Sequence, residues 1–209
     1  MKIRLHLTFI ALLIGNIGFS QIDVNAKKIL DNVSSKVKSY SGIVGSFSIK
    51  SITSKGKNNG SKTGTITLKG KKYTLKQGKT EIICDAINIY NYDGIKTVTV
   101  TPVEESSSTL SPQNLLSNFY DKDFSYKLIN SKGLFYQIEL YPNDKRKNYS
   151  KVTVFVDKKK DMITKAKILD KTSNIIEFSL NNLNTSAIIK DNSFVFNKAH
   201  YPRNVEILD

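Results

Sequence analysis

Tryptophan is absent from the 209 residues, cysteine occurs once and histidine twice. The single thiol, Cys84, can close no internal disulfide, so no covalent staple holds the fold. It sits among apolar neighbours, where a small buried hydrophobe is the ordinary role. His6 falls in the leading apolar stretch, which leaves His200 to carry any Ser-His-acid or Cys-His chemistry. It stands in Lys198-Ala199-His200-Tyr201-Pro202, beside a surface turn and without a supporting motif. One histidine and one cysteine also fall short of the usual ligand count of zinc. Long apolar runs are lacking too. Residues 5–19 are mostly apolar but shorter than the roughly 20 residues of a spanning helix. They follow Met1-Lys2-Ile3-Arg4 and end in Gly18-Phe19-Ser20, the basic, apolar and small-residue order of a secretory signal. Cleavage after Ser20 is expected, leaving one domain over residues 21–209. Its first residue would be Gln21, where a lipid-anchored bacterial product has cysteine. The expected product is exported and soluble, with no lipid anchor of its own.

Acidic residues are scarce relative to basic ones, 18 against 32, for a net charge of +14. Such an excess fits nucleic acid or an anionic surface. The lysines are scattered, however, at Lys55, Lys57, Lys62, Lys69, Lys71, Lys72 and the run Lys158-Lys159-Lys160, and no RNA-binding aromatic motif accompanies them. Solvated strand faces and hairpin tips account for them better than nucleic acid does. Contact with anionic headgroups or acidic partners stays open. Gly56-Lys57-Asn58-Asn59-Gly60-Ser61-Lys62-Thr63 resembles a phosphate-binding loop but lacks the glycine before lysine and joins two strands. It reads as a hairpin tip. Glu104-Glu105 and Asp121/Asp123 lie in loops with no apolar setting to raise a carboxyl pKa. An enzyme, such as a glycosidase or lipid hydrolase, has only these loop acids in its favour, and no catalytic residue is expected.

What is present is periodicity. Asp23 can cap a helix on which Ala26, Ile29, Leu30, Val33, Val37 and Tyr40 recur at three- and four-residue steps. From Gly42 the period changes to two. Phe47 and Ile49 alternate with serine and lysine, as do Ile66 and Leu68 with threonine; Tyr73 and Leu75 follow, then residues 82–85, 88–92 and 97–101. Glycine-bearing turns separate these runs, the pattern of antiparallel hairpins with one dry face. A polar serine-rich loop leads to Ser111-Pro112, a helix start, and Leu115, Leu116, Phe119 and Tyr120 give that second helix an apolar side. Strands resume at Phe124 and run through residues 134–140, 152–156, 163–169 and 175–183, with Ile176, Phe178 and Leu180 on one face. Phe194-Val195-Phe196 and Val205 to Ile207 end the chain as short packed pieces. The expected class is mainly β with two helices (α+β), about ten or eleven strands in one sheet that curls into an incomplete antiparallel barrel.

Local motifs in this order resemble the periplasmic outer-membrane lipoprotein carrier family, the LolA-like proteins. A strand of the kind I-x-x-S-D-G-x-x-[IL]-[WY]-x-Y is matched by Ile82-Ile83-Cys84-Asp85-Ala86-Ile87-Asn88-Ile89-Tyr90-Asn91-Tyr92, and G-x-[IL]-x-[LV]-K by Gly64-Thr65-Ile66-Thr67-Leu68-Lys69, followed by the aromatic Tyr73. The S-P-x-x-[IL]-L helix start matches Ser111 to Leu116, and the ending matches Ser193 to Phe196, Tyr201-Pro202 and Val205 to Leu208. Two positions depart from the pattern. Gly70 or Lys71 stands where the best-known carriers have an arginine that helps hold a helical lid, and Ala86 replaces a turn glycine, a change that is tolerable if φ there is negative.

The resemblance implies an apolar concave face covered by helices, with residues 26–40 and 112–120 as movable lids. It implies a periplasmic carrier that shields the acyl chains of lipoproteins. The partners would be an inner-membrane lipoprotein-releasing transporter and an outer-membrane acceptor or the membrane surface. No cofactor and no nucleic acid are expected, and the protein is expected to be a monomer. Phe47, Ile66, Leu68, Tyr73, Leu75, Tyr90 and Tyr92 are expected to face the cavity, with Leu115 and Leu116 from the second helix. The same residues also read as ordinary core, since inward faces of small barrels are often filled. A lipid- or lipoprotein-sensing regulatory module on the same fold is the alternative function.

Overall fold

Asp23 sets the first element. In the computed structural model, which describes residues 23–105 and 120–209, its Oδ1 accepts from the backbone N–H groups of Asn25 and Ala26, each at 3.0 Å. Capping these otherwise unpaired donors starts helix α1, Val24–Ser39, which stops one residue before Tyr40, a position the sequence pattern places inside it. Ala26, Leu30, Val33 and Val37 bury one stripe of α1, as their spacing requires.

Among the described residues twelve strands follow, one or two more than the periodicity predicts. They are β1 Ile43–Ile52, β2 Asn58–Lys69, β3 Lys72–Gln77, β4 Thr80–Cys84, β5 Asn88–Tyr92, β6 Thr97–Pro102, β7 Phe124–Asn130, β8 Phe135–Pro142, β9 Tyr149–Asp157, β10 Met162–Asp170, β11 Ile175–Asn184 and β12 Glu206–Leu208. A single helical turn, α2 Tyr120–Asp123, precedes β7. The expected second helix, with Leu115 and Leu116, lies outside the described residues. Val195 and Phe196 belong to no strand; 3-10 turns at Asp191–Phe194 and Lys198–His200 bracket them.

All strands form one open sheet in the order β12-β6-β5-β4-β3-β2-β1-β11-β10-β9-β8-β7. Every pairing is antiparallel except β12 with β6. The β1–β11 pair, from Val44 opposite Asn184 to Ile52 opposite Ile175, joins the two meanders. Antiparallel order puts the β2–β3, β4–β5, β7–β8 and β9–β10 turns at one end of the sheet. The β1–β2, β3–β4, β5–β6 and β10–β11 turns lie at the other.

The register sorts the side chains. Ile66 and Leu68 of β2 face Leu75 and Tyr73 of β3, Tyr73 faces Cys84 of β4, and Cys84 faces Ile89 of β5. Phe47 opposes Leu180, Phe178 opposes Ala166, Ala166 opposes Val154, and Val154 opposes Ile138. These residues belong to one apolar cluster that also contains the buried stripe of α1. A face running across so many strands meets one helix only if the sheet curls round it, so this is the concave side of a half-barrel. Phe47 reaches across Gly64, where an added Cβ would come within 2.5 Å of its ring.

The convex side has its own, smaller core. Ile83 and Val98 are buried there, together with Ile189, Phe194 and Val205 from the chain after β11. Tyr90 stacks on Phe196 with ring centroids 4.8 Å apart, and Tyr201 packs edge-on to Tyr92 at 4.9 Å. Lys69, from the convex side of β2, fastens the segment by donating to the Ile189 carbonyl and pairing with Asp191, both at 3.1 Å.

Candidate functional site: the concave apolar face

Most of the concave face is dry. Phe47, Ile66, Leu68 and Tyr73 are 1–3 % exposed. Leu75, Ile49, Ile82 and Ile89 pack against them but remain half-buried. Burial pushes the Tyr73 hydroxyl up to about 12, helped by the neighbouring Cys84, so it stays neutral. The Cys84 thiol is likewise raised by burial and is a structural group, not a nucleophile. Among the described residues this face offers shape and hydrophobicity. His200 sits in an exposed 3-10 turn away from it.

Helix α1 packs on β7 and β10 across this face. Polar bonds hold it at two points. The second oxygen of Asp23 accepts from the Leu128 N–H of edge strand β7 at 2.9 Å. Asp31, two helical turns further on, accepts from the Tyr120 hydroxyl at 2.9 Å and from Lys27 at 3.0 Å. Tyr120 is 1 % exposed and packs edge-on to Tyr126. The amides of Ala26 and Leu128 hold the Asp23 carboxyl below its usual range. For Asp31, burial pushes upward, but the bonds from Lys27 and Tyr120 outweigh it and the carboxyl is also lowered. Both latches are therefore carboxylates at neutral pH. Lys69 is engaged on the convex side, with the Ile189 carbonyl and Asp191.

The concave interior reaches the surface beside α1. A half-open cavity of about 420 Å³ lies between the helix and the β7–β9 end of the sheet. Ile29, Leu128, Tyr136 and Val156 form its apolar wall, with Lys28 and Asp161 at the rim.

Of the residues expected at the cavity, Phe47, Ile66, Leu68, Tyr73 and Leu75 share the concave face. Leu115 and Leu116 lie outside the described residues. Tyr90 and Tyr92 are a correction. Cys84 pairs with Ile89, so the two-residue period gives Ile89 the inward place and turns both tyrosines outward. Their ring partners on the chain after β11 supply the reason such large side chains are stable there. A second correction concerns Ala86, whose φ is +82° and not negative. The Asp85 carboxylate holds that turn by accepting from the amides of Ile87 and Asn88 at 2.8 and 2.7 Å. The α1 latches and the side cavity are not legible in the sequence. A capping Asp23 is visible there, but its second bond depends on a strand more than one hundred residues away.

The model of one family, the outer membrane lipoprotein carrier protein LolA, matches residues 38–197. The chain belongs to the LolA family. The match begins in the last turn of α1, so most of the helix that lies across the concave face precedes it. No curated protein sequence matches this LolA-family chain significantly. Among solved structures it is similar to an uncharacterized conserved protein from Thermus thermophilus, at 8 % identity and a TM-score of 0.58, covering 88 % of this chain and 98 % of that one. It is also similar to a LolA-superfamily protein from Nitrosomonas europaea, at 11 % identity, a TM-score of 0.46 and coverage of 82 % and 97 %. A third is the Mycobacterium tuberculosis lipoprotein LppX, at 12 % identity and a TM-score of 0.46, with 78 % and 99 % covered. The Thermus structure supports the same overall fold along nearly its whole length. No helix among the described residues is long and apolar enough to cross a membrane.

Proposed function

We propose that this protein binds acyl chains on its concave face and carries lipoproteins between the two membranes of a bacterial envelope. The observation that carries the reading is the geometry of that face: one continuous apolar surface, overlaid by a helix that two polar latches hold, with a cavity opening beside it. Each methylene exposed to water costs about 0.8 kcal/mol, so a chain of about 15 methylenes carries a penalty of roughly 12 kcal/mol. Such a chain needs a shielded path through the periplasm, and a carrier supplies it by burial alone. Displacing the stripe Ala26, Leu30, Val33 and Val37 would free an apolar surface of matching character. Export of residues 21–209 after signal removal, reception from an inner-membrane transporter and delivery to an outer-membrane acceptor complete this reading. Membership of the lipoprotein carrier family supports it.

The test is the cargo. The protein is recovered from the envelope fraction of its own cells without detergent and examined by native mass spectrometry. Triacylated or diacylated lipoproteins should be bound at one per protein, and a Leu75→Asp variant, altered at a half-buried concave position, should hold fewer. Recovery of only one free lipid or of a regulatory protein would favour the sensor function, and an empty concave face in freshly isolated material would refute binding.

A further inference from the structure

Two hairpin tips next to the side cavity are fused into one ledge. The β9–β10 tip reaches the β7–β8 tip through Lys158, whose backbone N–H donates to the Leu134 carbonyl at 3.1 Å. Its Nζ donates to the Ser131 carbonyl at 2.5 Å and lies 4.6 Å from the centre of the Tyr136 ring. The tips therefore present a fixed surface. On it Leu134 is 79 % exposed, and Ile129, at the end of β7, is 46 % exposed. The Asp23–Leu128 bond brings the first turn of α1 to the same place, with Val24 77 % exposed. Single exposed apolar residues are ordinary on a surface. Here all three stand close in sequence to residues of the cavity wall: Ile129 follows Leu128, Leu134 lies two residues before Tyr136, and Val24 precedes Asn25.

Charge accompanies them. Lys28, Lys132, Lys159 and Lys160 are exposed on the same elements. The facing carboxylates are Asp23, Asp157 and Asp161. Asp23 is bonded to three backbone amides and Asp157 to the amides of Lys159 and Lys160, and all three carboxylates keep their charge; with Lys158, five lysines outnumber them. Apolar side chains ringed by lysines on a rigid ledge match the boundary between acyl chains and anionic headgroups.

We propose that this ledge seats the protein directly on an anionic phospholipid bilayer, with the side cavity opening at the headgroup level. The proposal goes beyond carriage in solution, because it assigns a membrane-contact surface and an orientation. Lys28 and the ledge lysines meet lipid phosphates, while Leu134, Ile129 and Val24 enter the interface. Cargo would then pass beside α1 without crossing water.

Sedimentation of the purified protein with vesicles tests this. Vesicles of phosphatidylglycerol and phosphatidylethanolamine should bind it in a salt-sensitive manner, and phosphatidylcholine vesicles should not. Each lysine near an anionic surface is worth about fivefold in binding, so Lys159→Gln/Lys160→Gln should weaken it roughly 25-fold. Leu134→Asn should weaken it about tenfold. Lys55→Gln/Lys57→Gln, at the tip on the opposite end of the sheet, should leave it unchanged. Equal loss from that pair, equal binding to neutral vesicles, or no binding by the unaltered protein would overturn the proposal; the last result would leave the ledge to an acidic protein. Loading of a soluble lipopeptide, measured without vesicles, reports separately on the carrier function.

Discussion

If α1 is a lid, its latches should set how often it lifts. Tyr120→Phe removes one hydroxyl from a buried ring and leaves no cavity. The bond lost is to a carboxylate, and such bonds contribute about 1.5–3 kcal/mol. Because the Asp31 side chain is 47 % exposed and keeps Lys27, water replaces part of that interaction. A loss of about 1 kcal/mol remains, which is roughly a fivefold rise in the lifted population. Native-state hydrogen exchange reads this directly. The α1 amides should exchange faster than those of β9 in the unaltered protein, and Tyr120→Phe should accelerate them about fivefold. Ile83→Val, on the convex side away from α1, should cost about 1 kcal/mol of global stability and leave local exchange in α1 unchanged. Exchange of α1 only together with the whole sheet, or equal effects of Ile83→Val and Tyr120→Phe on it, would refute a latched lid.

Three further outcomes follow from single positions. Ala86 holds φ at +82°, where a Cβ costs about 1–2 kcal/mol; Ala86→Gly should raise stability to urea by about 0.5–1 kcal/mol, since glycine's freer unfolded chain offsets part of the gain. Gly64→Ala would put a Cβ 2.2 Å from the Lys76 carbonyl and against the Phe47 ring, so it should lower Tm sharply, with a loss of at least about 2 kcal/mol. The Asp23 and Asp31 carboxyls are lowered by folding. Their contribution is complete above the unfolded value near 4 and is lost as pH falls through the lower folded values. Stability measured between about pH 6 and 2 should therefore fall on the acid side, and Asp23→Ala, which also loses about 1 kcal/mol as a cap, should flatten that fall.

Much of this architecture is legible in alternation. Phe47, Ile66, Leu68, Tyr73 and Leu75 are assignable to one face because a two-residue period leaves no other choice once one strand is oriented. Tyr90 and Tyr92 obey the same period with the opposite phase. Ile89 and Tyr90 are both apolar, so pattern alone does not decide which turns inward; the decision belongs to the pairing of Cys84 with Ile89 and to Phe196 and Tyr201 waiting outside. Ala86 departs from expectation for a related reason. The Asp85 carboxylate bonds to two amides that follow it, and that local gain holds a φ that alanine disfavours. The latches are invisible in the sequence because Asp31 and Tyr120 meet only after the sheet has curled. The ledge joins two tips that are adjacent only through register.

The central claim is that acyl chains lie on the concave side of the sheet. A photo-crosslinking residue placed at Leu75, which faces inward, and in a separate protein at Tyr90, which faces outward, tests it with a triacylated lipopeptide. Crosslinks to the acyl chains at position 75 and none at position 90 are the expected result. Crosslinks at position 90 with none at position 75 would place the lipid on the wrong side and contradict the account.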